Sequence, residues 1–204
     1  MVFSSNLFLL YFLPSFLIVY YIIPRKLKNL FTLLASIFFY AWGAPDFIFI
    51  VLAAIIIDFY IVDIMHKSTL LKAKRILLGI SVLINIGLLA YFKYANFLVE
   101  NFNEILSLLG YEPINWASVA LPIGISFFTF QKLTYSVDVY RKVHTPLKRV
   151  TDYAMYILMF PQLIAGPIIR FNEIADQIEN RRAFETIDAK LLGFFRFVVG
   201  LSKK

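Results

Sequence analysis

Four apolar runs, separated by short polar stretches, fill most of the first half of the chain. They cover residues 7–23, 30–42, 47–65 and 76–92. A membrane-spanning helix needs about 20 predominantly apolar residues, so the first, third and fourth runs predict spans. The run at 30–42 has only 13 residues. We expect it to form a hairpin with the third run, through a turn in which Asp46 caps the following helix.

The residues around the first run predict how that helix begins and which way it points. Ser4, Ser5 and Asn6 are good N-caps, and Pro14 within the run is tolerated in a membrane helix. The basic cluster at 25–28 follows the run instead of preceding it, which is wrong for a secretory signal. We therefore expect a retained helix with its N-terminus outside.

The segment 93–118 differs in charge from the other loops. It holds one basic residue and three glutamates, Glu100, Glu104 and Glu112. Its apolar residues recur at helical spacing, which predicts a separate amphipathic helix on the outer membrane surface after the fourth span ends near residue 92.

The second half of the chain carries polar groups inside apolar stretches. Segment 119–141 includes several hydroxyl, amide and charged side chains. This pattern is typical of a helix that lines a cavity. Segment 153–169 contains two prolines and a glycine within seven residues, which predicts a broken or re-entrant helix. An amphipathic surface helix capped by Asn172 is expected next, and the run at 191–201, interrupted by Arg196, is too short to span.

Composition supports a membrane location. The 204 residues are 60% hydrophobic and 16% charged, with a mean hydropathy of +0.76, whereas a soluble domain is about half apolar and about a quarter charged. A disordered tail, a nucleic-acid-binding domain and most soluble enzymes are therefore excluded. The sequence predicts an all-α fold: one multi-pass transmembrane bundle over 1–204, with broken or re-entrant helices and interfacial amphipathic helices.

The basic residues behind the net charge of +7 indicate which loops face the cytoplasm. Basic residues cluster at 25–28, 66–75 and 132–149, and positive loops stay on the cytoplasmic side. With the N-terminus outside, all three clusters fall inside. The lipid bilayer is thus the expected partner, and no nucleic acid is expected.

Few side chains are candidates for chemistry. The sequence has no cysteine, and His66 and His144 lie in basic loops, which favours solvated histidines. Asp58 falls inside a predicted span, where it is either functional or held by Ser81 or Asn85. No motif has the spacing of a metal site, so we expect no bound metal.

Several motifs carry a family resemblance. They are MVFSS at 1–5, FYAWG at 39–43, LPIGISFFTFQ at 121–131, VDVYR at 137–141 and FPQLIAGPIIR at 160–170. Together they resemble the N-terminal half of the membrane-bound O-acyltransferase family, above all the bacterial alginate O-acetyltransferase branch. The teichoic-acid D-alanyl transfer proteins are a more distant branch.

The resemblance implies transfer of an acyl group, most often acetyl. The acceptor would be an extracytoplasmic polysaccharide or a relay acyltransferase partner, at the bacterial inner membrane. No cofactor is expected to be bound; the donor would be acetyl-CoA or another acyl carrier. The family's catalytic histidine would lie beyond Lys204, so the chain is expected to be truncated and inactive alone. A non-catalytic scaffold or a transporter-like half is the alternative.

The resemblance also implies that 121–138 and 160–170 form part of a substrate tunnel. Its polar candidates are Gln131, Thr134, Gln162 and Arg170. Pro122, Gly124, Pro161, Gly166 and Pro167 are expected to shape the backbone. For Gln131 and Gln162, a role in contacting substrate and a purely structural role remain equally open.

Overall fold

Most of the structure, which is a computed structural model, is helical. It describes residues 5–163, 169–181 and 184–203, and within these ranges it contains no strand. The helices are α1 (Leu7–Ile22), α2 (Lys28–Gly43), α3 (Ile48–Lys67), α4 (Leu71–Leu108), α5 (Ile125–Tyr140), α6 (Val150–Leu158), α7 (Phe160–Leu163), α8 (Phe171–Glu179) and α9 (Ile187–Ser202). The predicted all-α fold is confirmed.

Helix α1 begins with a wide, π-helical turn. Leu7–Phe12 is π-helical, and regular α-helix follows over Leu13–Ile22, with Pro14 in its first turn. The first turn of a helix tolerates proline, because the N–H that proline lacks has no helical acceptor there. The Ser5 hydroxyl accepts a hydrogen bond from the Phe8 N–H at 3.2 Å, as predicted for an N-cap. The Asn6 side chain makes no such bond, and Ser4 lies outside the described residues.

Helix α4 corrects the prediction of a chain break near residue 92. It runs without interruption for 38 residues, or about 57 Å at 1.5 Å per residue. The sequence has no glycine or proline between Gly87 and Gly110, so nothing stops the helix before Gly110, which adopts a φ of +80°. The separate interfacial helix predicted for 93–118 is therefore wrong.

The loop after α4 folds back along that helix. Asn96 accepts hydrogen bonds from the Trp116 indole at 3.1 Å and the Val119 N–H at 2.9 Å. Asn103 accepts another from the Ile114 N–H at 2.7 Å. Two asparagines on the helix thus satisfy the backbone of a loop that makes no secondary structure of its own.

Two further cap predictions are wrong. Asp46 lies in a short turn, Pro45–Phe47, and α3 begins after it without a side-chain cap. Helix α8 begins at Phe171 with Arg170 in the N-cap position, so Asn172 is already inside the helix. In both cases the chain enters the helix one or two residues away from the expected cap.

The core lies between α2, α3, α4, α5, α6 and α8. Every side chain from Tyr153 to Leu158 on α6 is buried, and α6 packs chiefly against α2. Helix α9 has no buried residue. The chain also breaks at Met159, between α6 and α7, which agrees with the broken helix predicted there.

The outer surfaces of the long helices are apolar. In the described part of the chain, two helical stretches, Pro45–Lys67 and Leu71–Leu108, are long and apolar enough to cross a membrane. Large side chains such as Phe49 and Leu83 are more than 70% exposed on them. Apolar surface of this extent is stable against lipid and not against water. The chain is a membrane protein.

Candidate functional site

Helix α5 places a row of polar side chains in the protein interior. Thr129, Gln131, Lys132 and Ser136 are each at most 1% exposed. The helix packs against α3, α4, α6 and α8, so these groups face protein on several sides. Burying polar groups at this depth is costly unless they find partners. Their partners therefore define the site.

The buried polar side chains of α5 and their partners form what we call the polar layer. A buried carboxylate lies at its centre. Asp58 on α3 is 1% exposed and accepts hydrogen bonds from Ser81 at 2.6 Å, Asn85 at 2.9 Å and the Tyr153 hydroxyl at 2.5 Å. Of the two readings of Asp58, the structure favours the bonded one, since both of the neighbours named from the sequence are present. Tyr153 is a partner that sequence spacing did not indicate.

The same network reaches α5 through a pair of serines. The Ser81 and Ser136 hydroxyl oxygens lie 2.9 Å apart. Because Ser81 donates its proton to Asp58, Ser136 is the donor of this pair. The carbonyl of Lys132, at 3.0 Å, is the alternative acceptor for the Ser136 hydroxyl. Helices α3, α4, α5 and α6 are thus joined by one chain of hydrogen bonds. Such a network fixes the relative positions of four helices.

Lys132 is buried within the polar row of α5. The sequence placed it both in the polar segment 119–141 and in the basic cluster at 132–149; it lies on α5 and is 1% exposed. Its ammonium nitrogen lies 5.5 Å from the ring centre of Phe128. Within the described residues it forms no ion pair. The buried charge is partly balanced by the aromatic ring and by the field of the Asp58 carboxylate.

Gln131 and Gln162 both present a buried acceptor atom. The Oε1 atoms of the two side chains have no hydrogen-bond partner among the residues described. Asp138, also on α5, has a buried carboxylate oxygen, Oδ2, in the same condition. A buried acceptor without a partner is uncommon in folded proteins and calls for a donor. These three oxygens could accept hydrogen bonds from hydroxyl or amide groups of a substrate.

The amide nitrogen of Gln162 donates a hydrogen bond to a carbonyl that is left free at the break between α6 and α7. The Phe160 N–H donates to the Ser36 hydroxyl at 3.2 Å, so the carbonyl of Tyr156 loses its usual helical donor four residues ahead. Gln162 Nε2 donates to that carbonyl instead. One half of this amide therefore has a structural role, whereas its oxygen does not.

Gly124 brings the two resemblance-bearing segments into contact. It precedes α5 with a φ of +77°, and a Cβ atom added to it would lie 2.7 Å from the Leu163 carbonyl oxygen. Only glycine combines this left-handed backbone with so close an approach. The start of α5 is thus packed against α7, and Pro122, which is buried, forms the turn before it by accepting the Ile125 N–H at 3.2 Å.

The remaining site candidates are less closely grouped. Thr134 is half-buried and donates to the carbonyl of Gln131 at 2.9 Å. Pro161 is exposed and borders an apolar cavity of about 520 Å³ between α1, α7 and α9. Arg170 is exposed at the start of α8. Gly166 and Pro167 lie outside the described residues.

Neither histidine occupies a shielded pocket. His66 is exposed near the end of α3. His144 bonds through Nδ1 to the Thr145 carbonyl at 2.8 Å, and its Nε2 lies 3.5 Å from Asp176. In the described portion no three metal-ligating side chains come together.

Comparisons with known proteins match the whole chain to larger bacterial proteins. A protein of Pseudomonas syringae named probable alginate O-acetylase AlgI is 41% identical over 207 residues, and the Pseudomonas aeruginosa protein of the same name is 40% identical over 205. The Helicobacter pylori peptidoglycan O-acetyltransferase is 30% identical over 234 residues. No protein-family model and no solved structure matches the chain.

The three matches differ in how much of each relative they cover. In every case 100% of this chain is aligned, but the aligned part is 39% of each AlgI protein and 44% of the peptidoglycan O-acetyltransferase. The chain thus spans about two-fifths of the length of the curated relatives it matches.

Proposed function

We propose that the chain belongs to the family of the alginate O-acetylases, to which it is similar along its whole length, and that it forms part of a membrane O-acyltransferase. The enzyme would transfer an acyl group, most often acetyl, to hydroxyls of an extracytoplasmic polysaccharide. The observation that carries this proposal is about 40% identity over 100% of the chain.

The relatives narrow the class of acceptor without naming one polymer. Two are named for alginate and one for peptidoglycan, and both polymers are polysaccharides outside the cytoplasm. A polysaccharide hydroxyl is the acceptor that both kinds of name share. We therefore propose this class, reached directly or through a relay acyltransferase partner.

The buried polar layer supports a role in holding substrate. In O-acyl transfer, a hydroxyl must be oriented and water must be excluded while its proton is removed. Gln131 Oε1, buried and without a partner in the described chain, is suited to accept a hydrogen bond from a bound hydroxyl or from the amide of a donor. Gly124 and the α7 backbone fix the helix that carries it.

The proposal extends to the setting of the reaction. The enzyme would cross the bacterial inner membrane several times with its N-terminus outside, and its donor, acetyl-CoA or another acyl carrier, would approach from the cytoplasm. We assign the catalytic base to neither His66 nor His144, because each lies near polar surface and not in a water-excluding pocket.

Deleting the gene from its source bacterium tests the proposal. The O-acyl content of the purified extracytoplasmic polysaccharides, measured as carboxylic acid released by mild alkali, should fall to background while the amount of polysaccharide is maintained. Reintroducing the intact gene should restore the acyl content. Unchanged acyl content would reject the proposal, and loss of the polysaccharide itself would favour a transporter-like or scaffold role.

A further inference from the structure

A second cavity, lined by no residue of segments 121–138 and 160–170, is strongly basic. It has a volume of about 500 Å³ and opens between the start of α2, the segment before α6 and the end of α8. Its charged lining comprises Arg25, Lys26, Lys28, Lys148, Arg149 and Arg181, against Asp152 and Glu179. Two clusters that lie more than a hundred residues apart in the sequence thus meet in one cavity.

Most of these cations are not neutralised by the protein. Lys28 is bonded to both carboxylate oxygens of Glu185 at 3.0 Å. The other five basic residues form no ion pair within residues 5–163, 169–181 and 184–203. Like charges gathered in a concave site repel one another and attract a multiply charged anion.

Hydrogen bonds hold part of the cavity lining in place. Asp152 accepts a hydrogen bond from Asn29 Nδ2 at 2.8 Å, and Asn29 Oδ1 accepts one from Arg181 Nε at 2.6 Å. Arg181 also donates from Nη1 to the Tyr20 hydroxyl at 2.7 Å. The guanidinium is thus held in place by neutral partners and keeps its charge for a ligand.

A helix end adds to the positive potential. Helix α6 begins beside the cavity, with Arg149 as its N-cap, no side-chain cap and one acidic residue, Asp152, in its first turn. The N-terminus of a helix carries a partial positive charge and favours phosphate. Guanidinium groups match the geometry of phosphate oxygens as well as their charge.

We propose that this cavity binds a phosphate group of an anionic ligand. Phosphate suits the site better than a single carboxylate because it offers more acceptor oxygens and more negative charge to cations arriving from three segments. The group can belong to an anionic phospholipid at the membrane surface or to a soluble nucleotide; the chemistry of recognition is the same. The proposal does not depend on acyl transfer.

Two pairs of exposed basic residues give a matched test. The pocket variant carries Lys148→Gln and Arg149→Gln, and the control carries Lys72→Gln and Arg75→Gln; each loses one lysine and one arginine charge from an exposed position. A charge-keeping variant, Lys148→Arg with Arg149→Lys, checks that the local fold survives. All are made in the full-length protein, purified in detergent and compared by thermal unfolding.

The ligand probes separate the two sources of phosphate. Retention of phosphatidylglycerol, against phosphatidylcholine, is measured by native mass spectrometry, and binding of ADP by titration calorimetry. The pocket variant should weaken one of these by about tenfold, with the control and the charge-keeping variant unchanged. If the pocket variant loses binding of phosphatidylglycerol, the ligand is a lipid. If it loses binding of ADP, the ligand is a nucleotide. Equal effects of pocket and control variants, or no binding of either probe, would overturn the proposal.

Discussion

Gly124 approaches Leu163 so closely that a Cβ atom on the glycine would lie 2.7 Å from the leucine carbonyl oxygen. This contact joins the start of α5 to α7, two elements that carry the longest motifs of the resemblance. The geometry of the polar layer depends on it, because α5 enters the core through the left-handed backbone of Gly124.

Gly124→Ala should therefore destabilise the protein. A left-handed alanine costs about 1–2 kcal/mol, and the overlap with the Leu163 carbonyl adds to this, so thermal unfolding in detergent should occur several degrees lower. Gly79→Ala is the matched control, since nothing lies within 4 Å of its added Cβ on α4. Equal unfolding temperatures for the two variants would contradict the contact.

In the buried network around Asp58, Asp58→Ala should lower the stability of the protein more than Tyr153→Phe does. It leaves Ser81, Asn85 and Tyr153 without their common acceptor, and breaking a buried network of this kind costs about 3–5 kcal/mol. Tyr153→Phe, which removes one donor, should cost about 1–2 kcal/mol. Both are measured by chemical denaturation.

Asp63→Ala provides the control for that experiment. Asp63 pairs with Lys67 at 2.6 Å, but the lysine side chain is 71% exposed. Surface pairs of this kind contribute about 0.5 kcal/mol or less. If Asp63→Ala were as damaging as Asp58→Ala, the network would not be the stabilising element.

Stability should fall in acid partly through Glu185. Burial raises the pKa of this carboxyl, but hydrogen bonds from Lys28 and Tyr20 outweigh it and hold the pKa below its ordinary value of 4.5. A lowered pKa stabilises the fold above pH 4.5, and this contribution disappears as the pH falls through the folded-state pKa.

Glu185→Gln should remove that dependence. The variant should unfold at a lower temperature than the parent at neutral pH, by the equivalent of about 1–3 kcal/mol, and the two unfolding temperatures should converge as the pH drops below 4.5. Parallel curves over the whole pH range would show that Glu185 is not the responsible group. Glu179→Gln, an exposed glutamate in α8, serves as the control.

Lys132→Met should leave stability unchanged or raise it. The ammonium is buried at 1% exposure without an ion pair in the described chain, and an isolated buried charge is costly. Methionine fills a similar volume without the charge. A loss of more than about 2 kcal/mol on chemical denaturation would mean that the charge is stabilising in its place.

Apolar patterning was sufficient to predict the fold class and the positions of the first helices. The broken segment at Met159 was also predicted, since Pro161 lies two residues beyond it. The length of α4 was misjudged because Lys93 and the later glutamates resemble a membrane boundary, whereas a helix ends only where its backbone is interrupted, at Gly110.

Long-range contacts account for what the sequence could not provide. Ser81 and Asn85 stand one turn apart on α4, which spacing indicates, but Tyr153 reaches Asp58 across 95 residues of sequence. Lys132 belongs by sequence both to the cavity-lining segment 119–141 and to a basic cluster, and the packing of α5 decides that it is buried. The basic cavity depends likewise on the meeting of distant segments.

The central claim is that the polar layer of α5 serves O-acyl transfer to a polysaccharide. It is tested most directly by Gln131→Ala in the full-length protein, with Gln177→Ala, an exposed glutamine on α8, as the control. The readout is the O-acyl content of the extracytoplasmic polysaccharide at equal membrane levels of protein. We expect Gln131→Ala to lower it at least about tenfold, the loss from removing one oriented hydrogen bond, and Gln177→Ala to leave it unchanged. Full acyl content with Gln131→Ala would contradict the account.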